Sequence, residues 1–217
     1  MLQAENSSAL AARRTQAERR EGSERDLVRA AIAVAVEQGV SACTFEAIAR
    51  QSGLSRGLVT QRFGSKLGLI EAVINLLGSR LEETISENRI DEMAGLEGLM
   101  TWMDVYLRGL SNKGDLRAYF MFLSAAVADA TSLRAAFAAE HDRVKVRLAG
   151  LVERGQADGT IRRPIDPTAA ALMIGSLQLG LSMQLLVDPD MDIEPIRETT
   201  LVTLRLSFAA PVPDMQM

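Results

Sequence analysis

The sequence predicts an all-α protein. An N-terminal three-helix unit carries a helix-turn-helix, and a larger helical domain follows, about nine helices in all. Three observations lead there. Apolar residues recur three and four positions apart along most of the chain, and no stretch of any length alternates apolar with polar. All six prolines lie after position 163, so no proline interrupts the first 163 residues. Ser, Thr or Asp stands before the apolar runs, and Gly closes several of them.

The first helix is expected over 22–38, with Leu27, Ala30, Ala31, Val34 and Ala35 as its stripe and Gly39 as its stop. Thr44 caps a short helix that ends before Gly53. Ser55 caps a second short helix, closed by Phe63-Gly64. Ser65 caps a longer one over 66–87, with Leu69, Val73, Leu77 and Leu81 on one side. After a break at Ile90-Asp91, a helix covers 95–110. Asn112-Lys113-Gly114 reads as a turn, and Asp115 starts a helix over 115–127. Ser132 caps a helix over 132–156, whose stripe is Leu133, Phe137, His141, Val144, Leu148 and Leu151. Asp166-Pro167 is a cap followed by proline in the first turn of a helix over 167–187. The last helix covers 193–208. The expected division is an N-terminal extension over 1–21, a helix-turn-helix unit over 22–68, a larger helical domain over 69–209, and a loose tail over 210–217.

Composition narrows the function. Of 217 residues, 47% are hydrophobic and 24% charged, which excludes wholesale disorder, collagen and a disulfide scaffold. One cysteine and one histidine leave no internal disulfide and no thiolate or imidazole metal site, so neither metal nor cofactor is expected. That cysteine usage fits a reducing cytoplasm, and the polar start lacks the apolar core of a secretory signal. Through Lys66, ten Lys and Arg stand against seven Asp and Glu, and beyond it fourteen against twenty-one. A basic third thus sits inside a protein of net charge -4, a local footprint for a polyanion. The 21 uncharged residues between Asp166 and Asp188 have the length to span a bilayer. Thr168, Ser176, Gln178, Ser182 and Gln184 among them, and acids at both ends, favour a helix buried on all sides and no membrane partner.

The most informative stretch is TFEAIARQSGLSRGLVTQRFGSK, residues 44–66. Two short helices meet across Ser52-Gly53-Leu54-Ser55, with Ile48, Leu54, Val59 and Phe63 as the small core between them. With Val59 and Phe63 buried, the second helix offers Arg56, Gly57, Thr60 and Gln61 outward. Arg grips guanine and Gln grips adenine in bidentate fashion. Gly57 admits a close backbone approach, and Leu58 borders the face beside a thymine methyl. Thr44 and Ser55 stand at helix N-termini, where amides and dipole favour phosphate. Lys66 opposes the dipole of its own helix start, which a phosphate contact explains, and Arg62 completes the candidate set. Short capped helices also occur in bundles that never meet DNA; the joint pattern separates the two readings.

Order and spacing over about 22–75 resemble the TetR family of bacterial transcriptional regulators. The resemblance implies a homodimer on a palindromic double-stranded operator. It also implies a C-terminal domain holding a small effector, whose binding changes the separation of two reading heads and releases DNA. Thr60 departs from the pattern, standing where the family usually has tyrosine. Arg13, Arg14, Arg19 and Arg20 are either a basic arm on DNA or a solvated helix start.

Six of the nine aromatic residues fall between 102 and 137. Trp102, Tyr106, Tyr119, Phe122, Phe137, His141 and Gln178 are the candidates for a mainly apolar effector cavity; an ordinary core is the competing account of each. The uncharged helix needs cover from a second copy. Ala169, Leu172, Gly175, Ser176, Leu179, Gly180 and Met183, with Leu201 and Leu204 of the last helix, are the candidate dimer face. A helical adaptor or a helical enzyme remain as alternatives. No phosphate loop, metal spacing or nucleophile elbow supports the enzyme, and Cys43 has no base near it in sequence, so no catalysis is expected.

Overall fold

The computed structural model describes residues 16–110, 114–128 and 133–211. The turn expected at Asn112-Lys113, the cap at Ser132, Arg13, Arg14, the side chain of Arg19 and the tail beyond 211 lie outside what is described. Among the described residues there are nine α-helices and no named strand. They are α1 (Gln16–Gln38), α2 (Phe45–Ser52), α3 (Arg56–Phe63), α4 (Lys66–Glu87), α5 (Gly95–Leu110), α6 (Asp115–Ala128), α7 (Leu133–Ala157), α8 (Pro167–Val187) and α9 (Glu194–Phe208). Short 3-10 turns at Val40–Ala42 and Ile90–Glu92, not anticipated from periodicity, join α1 to α2 and α4 to α5.

The helix starts follow local chemistry. Thr44 Oγ1 accepts from the Ala47 amide at 3.1 Å, Ser55 Oγ from Leu58 at 3.2 Å and Ser65 Oγ from Gly68 at 3.1 Å. Asp166 Oδ1 accepts from Ala169 at 2.7 Å, with Pro167 in the first turn. Gly53, at φ 70°, takes the left-handed conformation that lets α2 stop and α3 begin three residues later, at Arg56. α1 begins before the position expected at Gly22. A single glycine costs a helix about 1 kcal/mol, too little to end one.

Two apolar cores are built around α4. The first joins α1, α2, α3, the N-terminal half of α4 and α6, with Leu27, Ile48, Val59, Leu69, Ile70, Val73 and Phe122 fully inside. The second joins Ile85 of α4 to α5, α7, α8 and α9 through Leu99, Met103, Leu107, Leu148, Ile174 and Phe208. The unit expected over 22–68 therefore shares its core with α6 and shares α4 with the rest of the chain.

α8 departs from its expected burial on all sides. Ala170, Ala171, Ile174, Gln178 and Ser182 face inward, whereas Leu172 is 63% and Val187 83% exposed. One chain covers one face only, because α7 and α6 lie along the same side of it. Among the described residues, α8 is the one helix long and apolar enough to cross a membrane.

α5 is held at its start by the loop after α7. Asp158 Oδ2 accepts from the Gly95 amide at 2.8 Å and Thr160 Oγ1 from Leu96 at 3.2 Å. The Thr160 hydroxyl and that amide hold the Asp158 carboxyl below its ordinary pKa. A Cβ on Gly95 would stand 2.0 Å from the Gly155 nitrogen, so α5 and α7 approach at backbone distance. Gly95→Ala is expected to destabilise the fold by about 1–3 kcal/mol, through forced separation of the two helices. A urea midpoint unchanged from the parent chain would contradict that.

Candidate nucleic-acid interface and effector cavity

α3 is clamped from behind. Val59 and Phe63 are buried against α2 and α4, and Leu58 is half-buried against the same core. Arg56, Gly57, Thr60 and Gln61 are exposed together on the opposite side. Thr60 Oγ1 donates back to the Arg56 carbonyl at 3.1 Å, the usual local bond of a helical threonine. The Thr44 and Ser55 hydroxyls are each engaged by an amide of their own helix, so only the remaining first-turn amides are left for an anion. Lys66 is exposed, and its Nζ donates to the Val40 carbonyl at 3.4 Å, pinning the turn after α1.

Arg62 is placed differently from its sequence expectation. Three residues after Val59, it lies on the flank of α3 nearest α1, and its Nη2 donates to Ser23 Oγ at 3.2 Å. Its Nε is buried with no hydrogen bond. Arg62 fastens α3 to α1 instead of facing outward with Arg56 and Gln61.

A cavity of about 240 Å³ lies between α4, α5, α6, α7 and α8. Five of the seven residues expected at an effector site line it: Trp102, Tyr106, Tyr119, His141 and Gln178. The other two do not. Phe122 and Phe137 are buried in the first core, where Phe137 meets Tyr119 edge-on with ring centroids 5.2 Å apart. They support the wall from behind. Leu77 and Leu81 of α4, Phe120 of α6 and Glu140 of α7 also line it. Glu140 was missed, though its spacing from Phe137, Val144 and Leu148 puts a carboxylate on an apolar stripe, a legible signal.

The polar groups of this cavity differ in state. The Tyr106 hydroxyl donates to the Gln178 carbonyl at 3.0 Å and shares a 2.6 Å bond with the Ser182 hydroxyl, tying α5 to α8. Burial pushes its pKa well up. His141 is exposed at the rim, not the core histidine its stripe position favours, and partial loss of solvent lowers its pKa. Burial raises the Glu140 carboxyl above its ordinary value, although Arg143 pairs with it and opposes the shift. Trp102 Nε1 and Gln178 Nε2 are buried with no hydrogen bond.

Of the candidate dimer residues on α8, Ala169, Leu172, Ser176 and Gly180 are exposed and Gly175, Leu179 and Met183 half-buried, and Leu172, Gly175, Ser176 and Leu179 also line the cavity. On α9, Leu201 is half-buried, but Leu204 is only 5% exposed and packs in the second core. Two residues turn a helix through about 200°, so Val202 and Leu206 are exposed on the side of α9 opposite Leu204.

An outward-facing helix on a three-helix head, joined to a helical domain with a mainly apolar cavity, defines a helix-turn-helix transcriptional regulator. Residues 27–73 match the family model of bacterial regulatory proteins of the tetR family, and 97–206 match that of the BetI-type transcriptional repressor C-terminal domain. The chain belongs to the TetR family of bacterial transcriptional regulators. It is 44% identical over 63 residues to the HTH-type transcriptional regulator SrpR of Pseudomonas putida. That match spans 29% of this chain and 29% of SrpR. The structure of SmeT in complex with triclosan is similar in fold, with a TM-score of 0.72 and 22% identity over 89% of this chain and 96% of SmeT. NalD of Pseudomonas aeruginosa, a secondary repressor of the MexAB-OprM multidrug efflux pump, is similar with a TM-score of 0.67 and 23% identity over 91% of this chain and all of NalD.

Cys43 stands just before the cap of α2 but is 2% exposed, with Sγ directed at the Ala31 carbonyl at 3.6 Å. Burial pushes its thiol up to about 11, and the Lys66 charge offsets only part of that. In the folded protein at pH 8 the thiolate is therefore on the order of one part in a thousand. Alkylation by iodoacetamide is expected to be undetectable until denaturant is added. Modification of Cys43 at the rate of a free thiol in the native state would refute it.

Proposed function

We propose that the protein is a ligand-responsive repressor that binds a two-fold symmetric operator as a homodimer and leaves it when a small, largely apolar molecule fills the cavity. One observation carries the DNA-binding half. Arg56 and Gln61, the side chains suited to base edges, are exposed on one face of a helix whose other face is locked in a core. Gly57 and Thr60 share that face, Leu58 borders it, and Thr44, Ser55 and Lys66 flank it at helix starts near the phosphates. Arg62 acts by holding α3 in place.

The homodimer rests on the apolar residues that one chain leaves uncovered. Leu172 and Met173 on α8, with Val202 and Leu206 on α9, are all more than half exposed, and Ala169, Ser176 and Gly180 permit a close approach. A symmetric pair presents two reading helices, so the operator carries two half-sites. The effector half rests on the cavity and its position. Leu77 and Leu81 in its wall belong to α4, which only Gly64 and Ser65 separate from α3. A guest that displaces α4 displaces the reading helix with it. Triclosan held by SmeT, a protein of the same fold, supports a small-molecule role for this region.

The direct test is retention of random duplexes followed by gel shift on the selected sequence. Arg56→Glu is expected to weaken binding by about 100-fold or more, through loss of a base contact and repulsion from phosphate. Equal binding by parent and Arg56→Glu would exclude α3 as the reading helix. In sedimentation the parent chain is expected to be a dimer at micromolar concentration and Leu172→Asp with Leu206→Asp a monomer. A monomeric parent would contradict the two-fold assembly.

A further inference from the structure

Glu140 is an expensive residue to keep in an apolar wall. It is 7% exposed, and among the described residues its Oε2 is met by the Arg143 guanidinium alone. Its ion-pair partner Arg143 approaches from the solvent side with a side chain 65% exposed. Because the carboxylate itself is buried, Arg143 can be given up only to another cation that keeps the charge compensated. Across α4, Gly78 places no side chain over the carboxylate: a Cβ there would stand 3.4 Å from Oε1. Trp102 and Tyr119 line the same cavity.

From this arrangement we infer that the cavity selects molecules with a protonated or quaternary nitrogen on an apolar body, with Glu140 as the counter-charge. The inference rests on the cavity being the effector site. A cationic head replaces Arg143 at the carboxylate and gains the electron-rich faces of Trp102 and Tyr119. The leucines at 77, 81, 148 and 179 receive the apolar body. Two buried donors without acceptors, Trp102 Nε1 and Gln178 Nε2, meet an ether, hydroxyl or carbonyl oxygen of the same guest. An anionic head would lie against the Glu140 carboxylate. The lysine of the lining, Lys145, already pairs with Asp142.

The experiment uses the full chain and three probes with one body: phenylbutylamine, phenylbutanol and phenylbutanoate. Trp102 is the single tryptophan, so its emission reports the cavity wall. The amine is expected to bind about tenfold or more tighter than the alcohol, with the carboxylate weakest. Glu140→Gln, which keeps the shape, should erase the amine's advantage and leave the alcohol bound. Arg143→Gln, which removes the competing cation, should tighten the amine. A carboxylate that binds as well as the amine overturns the inference, as does an amine preference that survives Glu140→Gln. An alcohol that binds while the amine does not also overturns it and leaves the cavity standing as the effector site. Silence of Trp102 to all three probes removes the effector site and the inference together.

Discussion

The architecture depends on α4 being one continuous helix that belongs to two cores. Leu69, Ile70, Val73 and Ile74 of its first half complete the packing of α1, α2 and α3. Leu77 and Leu81 face the cavity, and Ile85 enters the second core. A helix of 22 residues is about 33 Å long and bends reluctantly. Displacement at its middle is therefore delivered to its start, where Ser65 caps it directly behind α3. Close-packed interiors transmit such a shift because they have no slack to absorb it.

Charge is distributed to match. Residues 16–66, with eight Lys and Arg against six Asp and Glu, form the head around α3, and the chain beyond is acidic. Much of that acid is consumed in structure. Asp104 accepts from Arg108 and Arg197, binding α9 to α5. Arg147 reaches Glu82 and Asp91, and Arg154 donates to the Ile90, Asp91 and Met93 carbonyls, fixing the turn after α4. These contacts brace the ends of α4 and α5 around the cavity, so its walls are set by polar clamps outside and aromatic packing inside.

Most of the helices and the outward face of α3 were legible in the sequence because their causes are local. A cap at Thr44, Ser55, Ser65 or Asp166 needs only the next three residues. Residues placed by tertiary neighbours were not legible to the same degree. Arg62 looked like a DNA contact until Ser23, 39 positions away, claimed it. Phe122 and Phe137 looked like cavity residues by composition, but which side of α6 and α7 meets the void depends on how those helices are rotated. Leu204 and Leu206 are equally apolar in sequence, and only contact with α5 decides which is inside. Glu140 lies on the apolar stripe of α7, where apolar periodicity alone does not mark a carboxylate.

The head is also incomplete by itself. α6 contributes Ala118, Phe120, Phe122, Leu123 and Ala126 to the core that holds α1, α2 and α3 together. Cutting the chain after α4 would strip that cover from Leu27, Ala31 and Val34. The DNA-reading portion is consequently no cassette to be transplanted between regulators at a loop boundary. A working chimera has to carry the α1–α6 seam as one inherited block.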